Sequence, residues 1–214
     1  IGRAISDGTA TSAEQLASEV QTVDNYEIGV RTARDAWSFS VAGFFTESDN
    51  GTTFSPDLNI AKQPEEIWGV EATGELRPTE QLTLGATLSW QEGEVDLDDD
   101  GDFEEDLPST RIPPLKTTAF VAYAPFEGAS MRLQALRSGE RNPDSTQFGG
   151  ADVDAYVLVD FFGSLRFGPG EVQLGVENLF NEEYFPVVNQ AGALPFGFSM
   201  GPGRTATLSY SVDW

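Results

Sequence analysis

The stretch GRTATLSYSVDW, residues 203–214, decides the fold because apolar and polar residues alternate along it from Thr205 to the end. Successive side chains of a β-strand point to opposite faces of a sheet. One face of this strand carries threonine, serine and aspartate. The other face carries only apolar side chains: Ala206, Leu208, Tyr210, Val212 and Trp214. The segment is therefore predicted to be a strand with hydrocarbon on one side and water on the other.

Eight further segments alternate in the same way, and each is close to the roughly 9 to 11 residues of a tilted membrane-spanning strand. They lie at about residues 26–33, 37–46, 68–76, 82–91, 115–124, 131–138, 153–167 and 171–177. In the fifth segment Phe120 interrupts an otherwise small or polar face. The pattern predicts an all-β protein that contributes nine strands to an antiparallel transmembrane β-barrel.

The connections between the segments alternate between short and long. Short connections lie at 34–35, 78–80, 125–129 and 168–170, and long ones lie at 48–64, 94–113, 139–152 and 179–202. Transmembrane barrels have short periplasmic turns and longer extracellular loops. With the C-terminus on the periplasmic side, we expect residues 1–24 to form an extracellular loop and residues 25–214 to form the barrel part.

The composition excludes several classes of function. The formal net charge is −23, from 35 acidic and 12 basic residues, which disfavours nucleic acid as a partner. Histidine and cysteine are absent, so disulfides and most zinc and hydrolytic chemistry are disfavoured. Gly197–Gly201 matches the G-x-S-x-G pattern of serine hydrolases, but without a histidine base we predict neither a catalytic residue nor an enzyme.

Several short strings resemble one family of membrane proteins. Residues 177–184 read ENLFNEEY and look like the "NLFDKEY" signature of TonB-dependent receptor β-barrels, and residues 25–30 resemble their "NYELG" strand opening. The residues that match the signature are Asn178, Leu179, Phe180, Asn181 and Tyr184. The family's barrel has about 22 strands around a plugged lumen, so the nine segments resemble its C-terminal portion.

The resemblance implies a location, a function and partners. A protein of this kind lies in the bacterial outer membrane and imports a scarce nutrient, most often a ferric siderophore or other iron complex. Its partners are the energy-coupling protein TonB, reached through an N-terminal region that this chain lacks, the membrane lipid and the iron chelate. The barrel assembly machinery recognises a terminal strand similar to that of Leu208, Tyr210, Val212 and Trp214. We therefore expect the chain to be part of a longer receptor.

Two alternatives remain open at this point. A passive porin-type membrane barrel shares the alternation and the loop pattern. A soluble β-sandwich or lipocalin-like binding module also alternates, but it has no reason to place short and long connections at opposite ends.

An acidic string in one long connection predicts a cation site. Residues 96–102 begin like a calcium-binding loop, D-x-D-x-D-G, in which alternate carboxylates surround the ion; the candidate ligands are Asp96, Asp98, Asp100 and Asp102. The twelfth position is Leu107 rather than the bidentate glutamate. We expect no organic cofactor, and we expect calcium in a structural role in this loop.

The resemblance also suggests where an iron chelate binds. Guanidinium groups and aromatic rings near the extracellular ends of strands suit an anionic chelate. The candidates in this chain are Arg137, Arg141, Phe148, Tyr184 and Phe185.

Overall fold

The computed structural model describes residues 21–54, 60–98, 100–192 and 199–212. Its elements are β1 (Val23–Arg34), β2 (Trp37–Phe54), β3 (Ile60–Leu76), β4 (Leu82–Val95), β5 (Glu105–Asp106), β6 (Lys116–Phe126), β7 (Ala129–Ser138), β8 (Tyr156–Phe167), β9 (Gly170–Glu177), α1 (Val187–Ala191) and β10 (Thr205–Val212). All nine predicted strands are therefore confirmed, and β5 is an additional two-residue strand. Within the described ranges, no helix has the length and hydropathy needed to cross a membrane.

The strands form one antiparallel sheet in the order β1-β2-β3-β4-β6-β7-β8-β9-β10, with β5 paired to β4. Strands that are neighbours in the chain are neighbours in the sheet, apart from the short detour through β5. Between the described residues of β1 and β10 there is no pairing, so the sheet is open at both edges. A closed lipocalin-like barrel is therefore not what this chain forms.

Pairing aligns the apolar residues of neighbouring strands on one face. Val41 lies opposite Val30 and Ala72, and Ala72 lies opposite Leu88. Many of the large side chains on this face are exposed, and Leu208 of β10 is 74% accessible. The other face carries mainly polar side chains. The alternation in the sequence thus becomes a sheet with one apolar face, called the apolar face below, and one polar face.

The buried hydrophobic residues lie away from the middle of the sheet. Among the described residues they are Val95, Leu107, Ile112, Val153 and Ala191. Val95 ends β4, and the other four lie in the longer connections. Within the described ranges no second sheet packs on the apolar face, which argues against a soluble β-sandwich. An exposed apolar surface of this extent indicates contact with lipid.

Phe120 lies on the polar face because a glycine on the neighbouring strand makes room for its ring. A Cβ at Gly85, directly opposite, would overlap that ring. The guanidinium carbon of Arg132 lies 3.7 Å from the centre of the ring and covers it as a cation–π pair. The ring is therefore packed against the strands and beneath a charge, which explains the interruption of the polar pattern.

The predicted long connection at 48–64 is wrong in extent. β2 continues to Phe54 and β3 begins at Ile60, so most of this segment is strand. The register shifts between Ser48 and Gly51. Polar residues occur on both faces of this extension, which is why its sequence lacks the alternation that marks the other strands.

Candidate functional site

The long-connection end of the sheet contains a small hydrophobic core, called the loop core below. It consists of Val95, Leu107 and Ile112, all with 0% exposure. The backbone N–H of Leu107 donates to the carbonyl of Gly93 at 2.8 Å, which fixes the connection between β4 and β6 onto the end of β4. The sequence-based prediction treated this connection as an acidic loop and did not foresee its core.

Arg141 holds two connections together beside the loop core. Its guanidinium is 6% exposed and forms an ion pair with Glu92 at 3.1 Å. Nη1 also donates to the carbonyl oxygen of Leu107 at 2.9 Å. The backbone of Arg141 pairs with that of Val153. The guanidinium of Arg141 thus has protein acceptors, and its contact with an iron chelate stays a prediction.

Two buried glutamates reinforce the same region. Glu65 is 2% exposed and pairs with Arg111. Glu105 is 8% exposed and accepts hydrogen bonds from the backbone N–H of Thr146 at 2.6 Å and from the hydroxyl of Ser145 at 3.1 Å. A buried carboxylate requires partners of this kind. In the sequence both glutamates stand in acidic runs that look like solvated charge, so no local pattern identified them.

The strand register also brings carboxylates together at this end. Asp24, Glu47, Glu66, Glu94 and Asp106 lie opposite one another on successive strands β1 to β5. They lie on the apolar face. Their positions are closer to the long-connection end of the sheet than the last aromatic residues of that face. Like charges directly opposite one another repel. This arrangement concentrates negative charge just above the apolar part of the sheet.

In the connection after β4, three carboxylates come close together, and they are not the four that the sequence predicts as cation ligands. Carboxylate oxygens of Asp96, Asp98 and Glu104 lie within 4.8 Å of one another. Asp100 and Asp102 are not part of this group, and Asp100 accepts a hydrogen bond from the backbone N–H of Asp102 at 3.0 Å. Glu104 stands at the ninth position of the calcium-loop spacing, where the ligand often acts through a water, and the prediction did not name it. Calcium binding by this connection stays a prediction.

The side chain of Asn178 is the centre of the connection between β9 and β10. It is 5% exposed, and its amide donates to the carbonyl oxygens of Glu182 at 2.9 Å and Pro202 at 3.0 Å. Its Oδ1 accepts from the backbone N–H of Glu182 at 2.8 Å. Its own backbone N–H donates to Asp160 at 2.9 Å. The side-chain amide thus links the first residues of the connection between β9 and β10 to its last residues.

The two asparagines of the signature also set the backbone. Asn178 has φ of 50° and Asn181 has φ of 56°, in the left-handed region that asparagine tolerates better than most residues. Oδ1 of Asn181 accepts from the backbone N–H of Arg204 at 3.0 Å, immediately before β10 begins. These contacts explain the signature structurally. Its asparagines turn the chain after β9 and form a hydrogen bond to the residue before β10.

Tyr184 packs against Tyr156, with ring centres 4.7 Å apart. A Cβ at Gly201 would overlap the Tyr184 ring, so the close approach of the chain there requires glycine. Burial raises the pKa of the Tyr184 hydroxyl, and the neighbouring Tyr156 and Asp160 raise it further. Tyr184 thus remains neutral and acts as an aromatic contact at this end of the sheet.

Two short motifs fall partly outside the described residues. In the G-x-S-x-G string, Gly197 and Phe198 are not described, and the oxygens of Ser199 accept hydrogen bonds from Asn189. In the terminal strand, Leu208, Tyr210 and Val212 lie on the apolar face as predicted, whereas Trp214 is outside the described residues.

Comparison with known proteins establishes the family. Residues 7–179 match the family model described as TonB dependent receptor-like, beta-barrel. The chain belongs to the TonB-dependent receptor family. It is similar to the ferric aerobactin receptor of Escherichia coli, with 30% identity over 202 residues that cover 89% of this chain and 26% of that protein. The chain thus spans about a quarter of the length of this relative.

Solved structures show the same fold. The copper transporter OprC has a TM-score of 0.72 and 20% identity, with 87% of this chain and 30% of that chain covered. The ferric-catecholate import receptor Fiu of Escherichia coli, in its closed form, has a TM-score of 0.69 and 20% identity, with 94% and 29% covered. The open sheet is therefore a segment of a larger TonB-dependent receptor barrel.

Membership in this family places the chain in the outer membrane and assigns the two faces of its sheet. In a large transmembrane barrel the apolar face contacts lipid and the polar face lines the lumen, with the longer connections outside the cell. Arg132, Gln134 and Asp160 thus lie on the lumen side, where Arg132 donates to Gln134 and Gln134 donates to Asp160, both at 3.1 Å. Asp160 also accepts a hydrogen bond from the backbone N–H of Asn178. Hydrogen bonds therefore connect the lumen wall with the external connection between β9 and β10.

The five predicted chelate contacts of this receptor segment lie in different settings. Arg141 is buried beside the loop core, whereas Arg137 lies on the lipid face, opposite Thr117 and Val157. Phe148 is half-buried in the connection that Arg141 anchors, Tyr184 packs on Tyr156, and Phe185 is 37% exposed. The structure therefore does not gather the five into one site.

Proposed function

We propose that this chain forms the C-terminal wall of a barrel that imports an iron chelate across the outer membrane, with energy supplied through TonB. The observation that carries the proposal is the family match together with the similarity to the ferric aerobactin receptor along 89% of the chain. The substrate class is transferred from the ferric aerobactin receptor. In this proposal the protein is a transporter and not an enzyme.

The structure supports a scaffold role for this segment within that receptor. The loop core, the Arg141–Glu92 pair and the Asn178 contacts order the external connections. Tyr184 and Phe185 are the two predicted aromatic contacts in the connection between β9 and β10, and Phe185 is 37% exposed. We therefore assign chelate contacts to the connection between β9 and β10.

Import is tested with the complete receptor that contains this chain. A strain that lacks the receptor gene should lose uptake of radiolabelled iron from its cognate ferric siderophore, and the intact gene should restore uptake. Uptake should also disappear when TonB is deleted. The strain is offered a panel that includes ferric aerobactin, ferric citrate and a ferric catecholate. Equal uptake of every chelate with and without the receptor would contradict the proposal.

A further inference from the structure

Two tyrosines stack at the extracellular end of the polar face. Tyr156 begins β8 and lies opposite Ser138 on this face. Tyr184, from the connection between β9 and β10, packs on it with ring centres 4.7 Å apart and an angle of 35° between the ring planes. Both residues are half-buried. The backbone of Gly201 packs closely against the Tyr184 ring, so the pair has a fixed position at the mouth of the lumen.

Two carboxylates lie beside this tyrosine pair on the polar face. The register of β8 and β9 brings Asp160 next to Glu177, one position beyond the pair of Phe161 and Val176. The negative charges of both carboxylates act on the hydroxyl of Tyr184. Asp160 is held in place by two hydrogen bonds, whereas Glu177 is exposed. Neighbouring carboxylates repel each other, and a cation between them removes this repulsion.

Three groups of this set have oxygens without a partner. Within the described ranges, the two phenol hydroxyls and the carboxylate of Glu177 form no hydrogen bond or ion pair. Basic side chains of the neighbouring connections bind elsewhere: Arg141 pairs with Glu92, and Arg204 donates to the carbonyl oxygen of Leu179. An ammonium group has three donors and a positive charge, and it is attracted to the faces of tyrosine rings. The set thus has the acceptors, the charge and the rings that suit an ammonium group.

We propose that Tyr156, Asp160, Glu177 and Tyr184, called the tyrosine–carboxylate site below, bind an ammonium group of the imported chelate. This inference rests on the proposed import of an iron chelate and specifies the chemistry of one part of that chelate. An anionic group is unfavourable at this position, because the two carboxylates repel it. The chelate therefore carries, apart from the groups that hold the iron, an amine that is protonated at neutral pH.

The test measures the binding of two ferric chelates to the complete receptor in detergent by isothermal titration calorimetry. Ferrioxamine B is a linear trihydroxamate with a terminal ammonium group, and its N-acetyl derivative has the same iron ligands without that charge. The unchanged receptor should bind the ammonium form about ten-fold more tightly. Added salt should reduce this preference, because the charge of Glu177 is exposed to solvent.

Variants assign the preference to the tyrosine–carboxylate site. Glu177→Gln should lower the preference for the ammonium form about three-fold, and Tyr156→Leu should lower it as well. The control is Glu171→Gln, which removes the same charge from the same face at the other end of β9 and should leave the preference unchanged. Heat-modifiable migration on gels confirms that each variant is folded.

The inference is overturned if the unchanged receptor binds both forms equally tightly or binds neither. It is also overturned if Glu177→Gln leaves the preference unchanged or weakens the two forms by the same factor. In each of these cases, receptor-dependent uptake of any chelate of the panel leaves the proposed import intact. The absence of uptake for the whole panel instead contradicts the import itself.

Discussion

Asn178→Asp should destabilise the barrel by about 3 to 5 kcal/mol, because it removes two buried donors and places a carboxylate in their position. The amide of Asn178 donates to the carbonyls of Glu182 and Pro202. An aspartate keeps the acceptor for the N–H of Glu182 but turns its second oxygen toward those two carbonyls. The variant receptor should therefore lose its heat-resistant gel form at a lower temperature.

Asn181→Asp is the matched control for this change. Asn181 has the same left-handed backbone as Asn178, but it is exposed and its Oδ1 is an acceptor, which an aspartate retains. We expect its effect on the free energy of unfolding to stay within about 0.5 kcal/mol. Acidification should restore part of the stability of Asn178→Asp, since a protonated aspartate regains one donor. Equal melting of the two variants would show that Asn178 is not the centre of the connection.

Leu107→Ala should open the external connections without unfolding the strands. Leu107 is fully buried in the loop core, and deletion of such a side chain costs about 2 to 5 kcal/mol. The loop core lies outside the membrane part of the sheet, so the cost falls on the connection between β4 and β6. Limited proteolysis should cut this connection many times faster than in the unchanged receptor, while the heat-resistant barrel persists.

Leu97→Ala is the control for the loop core. Leu97 packs against the same cluster but is only partly buried. Its truncation should change the rate of proteolysis less than that of Leu107. Similar rates for the two variants, or a simultaneous loss of the barrel in Leu107→Ala, would contradict a separate loop core.

The strands and their faces could be predicted from sequence because lipid and water impose a two-residue period. Arg137 also follows this period: it stands two residues after Ala135, on the apolar side of its strand. The prediction that it contacts a chelate considered only its charge and its position near a strand end. The alternation already contained the information that it faces lipid.

The long-range pairs at the extracellular end could not be predicted in this way. Glu92 and Arg141 are 49 residues apart, and Glu65 and Arg111 are 46 apart, so only the folded connections bring them together. The loop core likewise depends on Leu107, which looked like a missing calcium ligand in the sequence. Local patterns describe a strand well, but they do not specify which charges become buried.

Alternate residues of each strand face lipid and lumen, and a lipid-accessibility scan along β7 measures this alternation directly. The chain contains no cysteine, so single cysteines introduced from Met131 to Ala135 can carry spin labels in the reconstituted receptor. Relaxation by oxygen, which concentrates in lipid, should be high at Met131, Leu133 and Ala135. It should be low at Arg132 and Gln134. An absent or inverted two-residue period would contradict the account.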